Sequence, residues 1–418
     1  MDTSKICLFK GDKVIWMVLF LLCMISIVEV FSASSVLTYK SQDYLKPITF
    51  HTFTIIVGVV VAIIVQNIPY RSFQLLIPFL ILFSAVTLLW VLLAGTKVGD
   101  AGRWISVLGV TFQPSEIAKG TIVLVVAQIL AKLQRDDGAD KRAIKWILWI
   151  AIPACIMIGL ENLSTAAMLF TVVFMMMFYG LVPLKQLAKL AGFVLLMFVI
   201  AFSMVMLVGN EISEDEKELV KTEQMEKNQE KSVIEKIFHR LDTWKSRIIE
   251  FGKPMPAPED YDLNKNAQVA HANIAIVTSG IVGKGPGKST ERDFLAQAFS
   301  DFIFAIIIEE LGLLGASAIV LLYIILLYRC ARIANRCEKK FPSFLVLGLG
   351  LLLTSQALFN MMVAVGIVPV TGQPLPLVSK GGTSTIINCA YIGAILSISR
   401  YAKRRTRDEK IHSCGVSA

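Results

Sequence analysis

Ten apolar runs, each near the length that crosses a bilayer, constrain this chain more than any other feature. They fall at 14–31, 50–68, 73–95, 115–132, 143–160, 164–181, 187–208, 302–328, 343–368 and 383–400. A spanning helix needs about 20 mainly apolar residues. The pattern therefore predicts an all-α polytopic membrane protein with about ten transmembrane helices. The runs at 143–160 and 164–181 are short and closely spaced, so one helix or two remain open there. The first run has no small-residue cleavage site after it and is expected to stay in the protein.

Composition supports the same class. Of the 418 residues 55% are hydrophobic and 17% charged, which is not the balance of a soluble domain. The net charge of +9 does not mark a nucleic-acid face, because its distribution follows topology. Lys5, Lys10 and Lys13 precede the first run. Further cations fill 132–145 and 329–340 and the tail after Arg400. With both termini in the cytoplasm, all of these lie inside, as the positive-inside rule requires. The seven cysteines show neither disulfide-framework nor zinc spacing. The four histidines show no metal-ligand spacing.

This orientation makes 1–418 a single membrane domain with one large extracytoplasmic loop, 209–301. Residues 211–230 are dense in both charge signs. From Val233 to Phe251 apolar residues recur at helical spacing with cations between them, as in a helix lying on a membrane or on the protein itself.

Four stretches carry ionisable or hydroxyl groups. In 102–120, Pro114 and Ser115 look like a helix start. Glu116 and Lys119, three apart, share a face as an intramembrane ion pair with either a functional or a packing role. Arg103, beside Trp104, is a lipid-phosphate contact or an interfacial anchor. GKGPGKST at 283–290 resembles a nucleotide loop, but three residues separate Gly283 from Gly287 where that motif needs four. A flexible cationic loop meeting another phosphate stays open. GQPLPLVSKGGTST at 372–385 is a turn-rich loop, either lining a wet cavity or capping a helix. Asp301 opens the 302–328 run as a helix cap or a reactive group. Glu309 and Glu310 enter the run, where a bare charge costs about 2.5–3.5 kcal/mol or more. They must face the interior, be protonated or find partners, Lys119 among the candidates.

Together these segments resemble the SEDS family, the FtsW/RodA/SpoVE proteins, over nearly the whole chain. The resemblance rests on RWISVLG…FQPSEIAK (103–119), STA (164–166), AQVAHANIAI (267–276), GKGPGKS (283–289), DFIFAIIIEELGLLG (301–315) and GQPLPLVSKGGTST (372–385). It implies a SEDS-type fold and peptidoglycan glycosyltransferase activity on lipid II, a disaccharide-pentapeptide on undecaprenyl diphosphate. A divalent cation of unknown ligands (Mg or Mn) and a class B penicillin-binding protein as transpeptidase partner are implied too. Other divisome proteins and membrane lipids complete the expected partners. Asp301 matches the family aspartate read as catalytic, and Glu116 and Lys119 match its ion pair. Substrate and diphosphate contacts are expected from Arg103, Lys284, Lys288, Arg292, Lys380, Ser379, Thr383 and Ser384. Glu309, Glu310 and Gln268 are expected in a polar core. The family's L-P-E-A-H-T-D reads LAQAFSD here, so Ala296, Gln297, Phe299 and Ser300 replace Pro, Glu, His and Thr. Asn162 replaces an Asp in ENLSTA, and Lys380 a Tyr in SKGGTS. The long loop and the TGQPLPLVSKGGTS spelling lean toward a division role at the septum. A lipid II flippase, the elongation paralogue and a scaffold are the alternatives.

Overall fold

The computed structural model describes residues 9–33, 46–94, 96–98, 101–107, 110–136, 138–208, 245, 267–295 and 298–415. The expected surface helix at 233–251 and the charged strip at 211–230 lie outside the described residues, apart from Lys245.

Helices form where the apolar runs predict them: α1 (Lys13–Ala33), α2 (Lys46–Asn67), α3 (Tyr70–Ala94), α4 (Pro114–Lys132), α5 (Ala143–Glu161), α6 (Leu163–Tyr179) and α7 (Leu184–Val208). A shorter α8 (Ala267–Ser279) precedes α9 (Ile303–Asn335), α10 (Lys340–Ala364) and α11 (Thr383–Gly415). Among the described residues, seven helices are long and apolar enough to cross a membrane by length and composition. Leu163–Tyr179 is a shorter apolar helix. The chain is a mostly helical, multi-span membrane protein.

The doubtful pair at 143–181 is two helices. Asn162 separates them in an extended conformation, and its side chain accepts from the N–H groups of Ser164 and Thr165 at the head of α6. Such a cap satisfies N–H groups that a helix start leaves unpaired. Its Nδ2 also donates to Thr371 O at 3.3 Å. An Asp could provide the cap but not this donor.

α4 and α10 form the centre of the bundle. α10 packs against α4, α6, α9 and α11, while α2 lies along α11 and α3 along α4. The outward faces of α2, α3 and α5 keep large apolar side chains exposed, among them Phe50, Leu75, Phe79 and Trp149, as a lipid-facing surface requires.

Two features were not expected from the sequence. The first is a three-stranded antiparallel sheet between α3 and α4, with strands β1 (Thr96–Val98), β2 (Ala101–Val107) and β3 (Val110–Phe112). The register Val107↔Val110 leaves two residues between β2 and β3, the length of a tight hairpin. The second is a break in α9. Gly312 has φ 69° and ψ −172°, so the expected single run at 302–328 is interrupted after Leu311.

A short hairpin of β4 (Gln134–Arg135) and β5 (Gly138–Ala139) closes the loop before α5. Arg135 pairs with Asp140 there but is 75% exposed. Water competes for such a pair, so Arg135→Ala is expected to leave the thermal midpoint in detergent unchanged.

Candidate active site

The stretch 295–315 separates into two sites. Asp301 sits on a turn just before α9. Phe302, not Asp301, is the N-cap residue and makes no side-chain cap bond, so the capping role does not apply. Ser300 Oγ donates to Asp301 Oδ1 at 3.0 Å, and Asp301 is half-buried. The backbone of this turn is held from outside it. Lys380 N donates to Phe299 O at 3.0 Å, Ser379 Oγ to Ser300 O at 2.6 Å, and Asn360 Nδ2 to Asp301 O at 2.8 Å.

A cavity of about 210 Å³ flanks the turn, lined by Phe50, His51, Thr54, Thr111, Phe299, Lys380, Gly381 and Gly382. Lys380 Nζ lies 5.0 Å from the centre of the Phe299 ring, within cation–π range. Two departures from the family spelling, Phe299 and Lys380, are therefore contacting neighbours. Burial lowers the Lys380 pKa, because a half-desolvated ammonium is less stable than one in water. Ser26 Oγ donates its only proton to Val378 O at 2.6 Å. His51 Nε2, 2.8 Å from the same oxygen, must therefore be the donor in that contact.

Several expected substrate contacts are committed to the protein itself. Ser379 is 2% exposed, and its oxygen, besides donating to Ser300 O, accepts from Leu375 N at 2.8 Å. Ser384 Oγ donates to Gly381 O at 3.0 Å and Thr383 Oγ1 to Thr111 O at 3.1 Å. Each of these three hydroxyls thus bonds within the protein. Arg103 lies on the backbone of β2, and its side chain falls outside the described residues.

The second site holds Glu309 and Glu310, both fully buried. Lys119 is not their partner. Glu309 Oε1 accepts from Lys284 Nζ at 2.6 Å, from Thr290 N at 3.1 Å and from Thr290 Oγ1 at 2.9 Å. Its other oxygen accepts from Ser289 Oγ. Glu310 accepts from Gly287 N at 2.9 Å, from Ser289 N at 3.2 Å and from Ser32 Oγ. Arg292 Nη1 donates to Ser32 Oγ at 3.0 Å and Gly287 O at 2.9 Å.

GKGPGKST is thus no free phosphate loop. Its backbone N–H groups and hydroxyls already enclose two carboxylates, and Lys284 and Arg292 are engaged inside the protein. Lys288 alone of these three cations is exposed. The same segment closes the break in α9. Lys284 N and Gly285 N donate to Glu309 O and Glu310 O at 2.9 and 2.8 Å, satisfying carbonyls that a helix end leaves unpaired. The last part of the 209–301 stretch is therefore packed structure. Within it Gln268 is half-buried on α8, and His271 Nδ1 lies 2.6 Å from Glu291 Oε2.

A third cluster lies on the inner side of the 372–385 loop. Lys119 Nζ is 2.8 Å from Glu116 Oε1 and 2.7 Å from Gln356 Oε1, with Lys119 fully buried. Gln356 Nε2 reaches Pro374 O at 3.2 Å, and Asn360 Nδ2 reaches Gln373 O at 2.7 Å. Gln373 donates in turn to Thr165 Oγ1. Tyr391 O–H donates to Glu116 O, across a gap kept open by Gly120, whose Cβ would sit 2.4 Å from the ring. Gln356, Asn360, Gln373 and Thr165 were missed from sequence. Two amides four residues apart on one face of an apolar helix were the available signal.

Among the described residues, no three His, Cys, Asp or Glu side chains converge as a metal centre. They build no protein cage for the divalent cation that the resemblance implies.

These elements define a polytopic membrane protein that presents one carboxylate on a turn locked to a Pro- and Gly-rich loop. The chain belongs to the FtsW/RodA/SpoVE family, described as a cell cycle protein, whose profile matches residues 12–404. It is 26% identical to the probable peptidoglycan glycosyltransferase FtsW of Geobacter sp. (strain M18), covering 93% of this chain and 96% of the relative. It is 27% identical to the stage V sporulation protein E of Bacillus subtilis (strain 168), over 94% and 98%. It is 29% identical to the peptidoglycan glycosyltransferase MrdB of Escherichia coli (strain K12), over 84% of each. Among solved structures, the fold resembles a chain of a peptidoglycan synthase complex that coordinates polymerization and crosslinking, with TM-score 0.69, 21% identity and coverage of 93% and 98%. It also resembles the rod shape determining protein RodA of Thermus thermophilus, with TM-score 0.61, 21% identity and coverage of 93% and 97%.

Proposed function

We infer that this protein is a peptidoglycan glycosyltransferase that polymerises lipid II on the outer face of the cytoplasmic membrane, with Asp301 as general base. The observation that carries the base assignment is the contrast among its acidic groups. Glu116, Glu309 and Glu310 are buried, whereas Asp301 is half-buried on a turn whose Phe299 lines a cavity.

Asp301 takes the proton of the acceptor sugar hydroxyl as that oxygen attacks the anomeric carbon of the lipid-linked glycan. A new C–O bond forms with inversion, and the bond to the lipid diphosphate breaks. The diphosphate leaves without protonation but needs its charge balanced. Lys380 is the cation best placed beside the turn, and Lys288 and Arg103 are further candidates. A divalent cation, if bound with the diphosphate, would add to this charge balance.

Asp301→Asn is expected to keep the fold and to lose glycan synthesis from purified lipid II by about 10²–10⁴-fold, the usual contribution of a positioned base. Polymer on a gel at the wild-type rate overturns the assignment. The flippase reading predicts instead that wild type only equilibrates lipid II across vesicles. The interior bonding of Glu116, Lys119, Glu309 and Glu310 favours a structural use for them over a polar pathway.

The division role is supported by relatives named FtsW and by the TGQPLPLVSKGGTS spelling. Septal localisation of a tagged chain tests it, and a lateral-wall distribution would assign the chain to elongation. Both termini are placed in the cytoplasm by the distribution of Lys and Arg. A class B penicillin-binding protein is the proposed partner, supported by the fold shared with a synthase complex.

A further inference from the structure

We propose that Asn360 and Ser379 are positioning residues that hold Asp301 at its reacting geometry, an inference that rests on the reading of Asp301 as the base. The turn before α9 has three consecutive carbonyls, at Phe299, Ser300 and Asp301. Among the described bonds α9 takes up none of them, and the first carbonyl it is seen to engage is that of Phe302, bonded to Ala305 N at 2.9 Å. Backbone acceptors in such a setting need donors from elsewhere. All three find them on the Gly372–Lys380 segment and α10. One donor is the Lys380 backbone, and the other two are side chains, Ser379 Oγ at 2.6 Å and Asn360 Nδ2 at 2.8 Å.

Each of these side chains makes a second bond into the loop. Asn360 Nδ2 also donates to Gln373 O at 2.7 Å, and Ser379 Oγ also accepts from Leu375 N at 2.8 Å. The turn and the loop are therefore one bonded unit on both sides. Asn360 is 1% exposed and Ser379 2%, so neither reaches substrate, and both act through Asp301. Neither bond touches the Asp301 carboxylate. Losing one shifts the base without removing it, and displacements of about 1 Å cost about 100-fold in rate.

The test is kinetic and uses the full chain in detergent or vesicles with lipid II. Ser379→Ala is the mild variant and Asn360→Ala the larger one. Each is expected to lower kcat about 10–100-fold, with KM for lipid II unchanged. The decisive readout is a cycle with Asp301→Asn. In that background Ser379→Ala is expected to have no further effect, because the group it positions is gone. An equal loss of kcat in both backgrounds shows a merely structural role and overturns the proposal. So does wild-type kcat for Ser379→Ala, or a raised KM with kcat intact. If Asp301→Asn is itself fully active, the base reading fails and this proposal falls with it.

Discussion

Gly312→Ala is expected to destabilise the protein severely and to release the 280–290 segment from α9. The backbone of Gly312, at φ 69° and ψ −172°, lies in a region essentially restricted to glycine, where another residue costs about 1–3 kcal/mol. A Cβ there would also sit 2.3 Å from Ile281 O and 2.5 Å from Gly283 N. Relieving such overpacking typically costs a further 1–3 kcal/mol or so. The site cannot yield easily, because Gly283 faces it at φ 83° and its own Cβ would lie 2.3 Å from Glu310 O. Two glycines make the close approach on which the Lys284 and Gly285 bonds to α9 depend. Gly287→Ala is the control: φ is 78°, but nothing lies within 4 Å of the added carbon. Thermal unfolding followed with a thiol-reactive dye suits the measurement, since Cys23, Cys330 and Cys389 are buried. A midpoint for Gly312→Ala no lower than that of Gly287→Ala would sink the argument.

Lys119→Met is expected to be the second large loss. It removes the only cation bonded to Glu116 among the described contacts and leaves a carboxylate that is 2% exposed. Breaking a buried pair from one side costs about 3–5 kcal/mol, whereas replacing both partners by neutral groups of similar shape is often tolerated. Glu116→Gln with Lys119→Met is therefore expected to recover most of the stability lost by Lys119→Met alone. It is not expected to recover activity. Lys119 binds Gln356 Oε1 and so turns Nε2 toward Pro374 O. Without that cation the amide loses the contact that fixes its orientation below the 372–385 loop. The same dye assay, paired with glycan synthesis, checks both halves. Equal stability of the single and double variants would refute the ion-pair argument, and full activity in the double variant would refute the amide argument.

Contacts between near neighbours in the chain are legible in the sequence. The Glu116–Lys119 contact was legible because it is local: three residues on one helix share a face whatever surrounds them. Asn162 as the divider of α5 and α6 was half legible, since short runs showed a boundary but not its cap. Lys284 with Glu309 was not legible at all. The pair is separated by 25 residues, and the candidate the sequence offered, Lys119, bonds to Glu116 instead. The break at Gly312 was hidden for a related reason. A glycine in an apolar run is common, and only an opposing backbone reveals that it leaves the helix. The bonds that Ser379, Thr383 and Ser384 make inside the protein were not legible either, because a hydroxyl-rich loop has the same letters whatever it bonds.

The sequence by itself determined the membrane class, the places of the helices and the family, because apolar length and ordered motifs are properties of the chain read along its own axis. Hydrophobic burial is non-directional, so such patterns fix where segments go without fixing which polar groups meet. Tertiary structure alone decided those meetings. A buried carboxylate or carbonyl must be paired, and the donors for Glu309, Glu310 and the turn at Asp301 come from segments distant in sequence. Those partners bury Glu309 and Glu310 completely, whereas Asp301 stays half-buried on its turn.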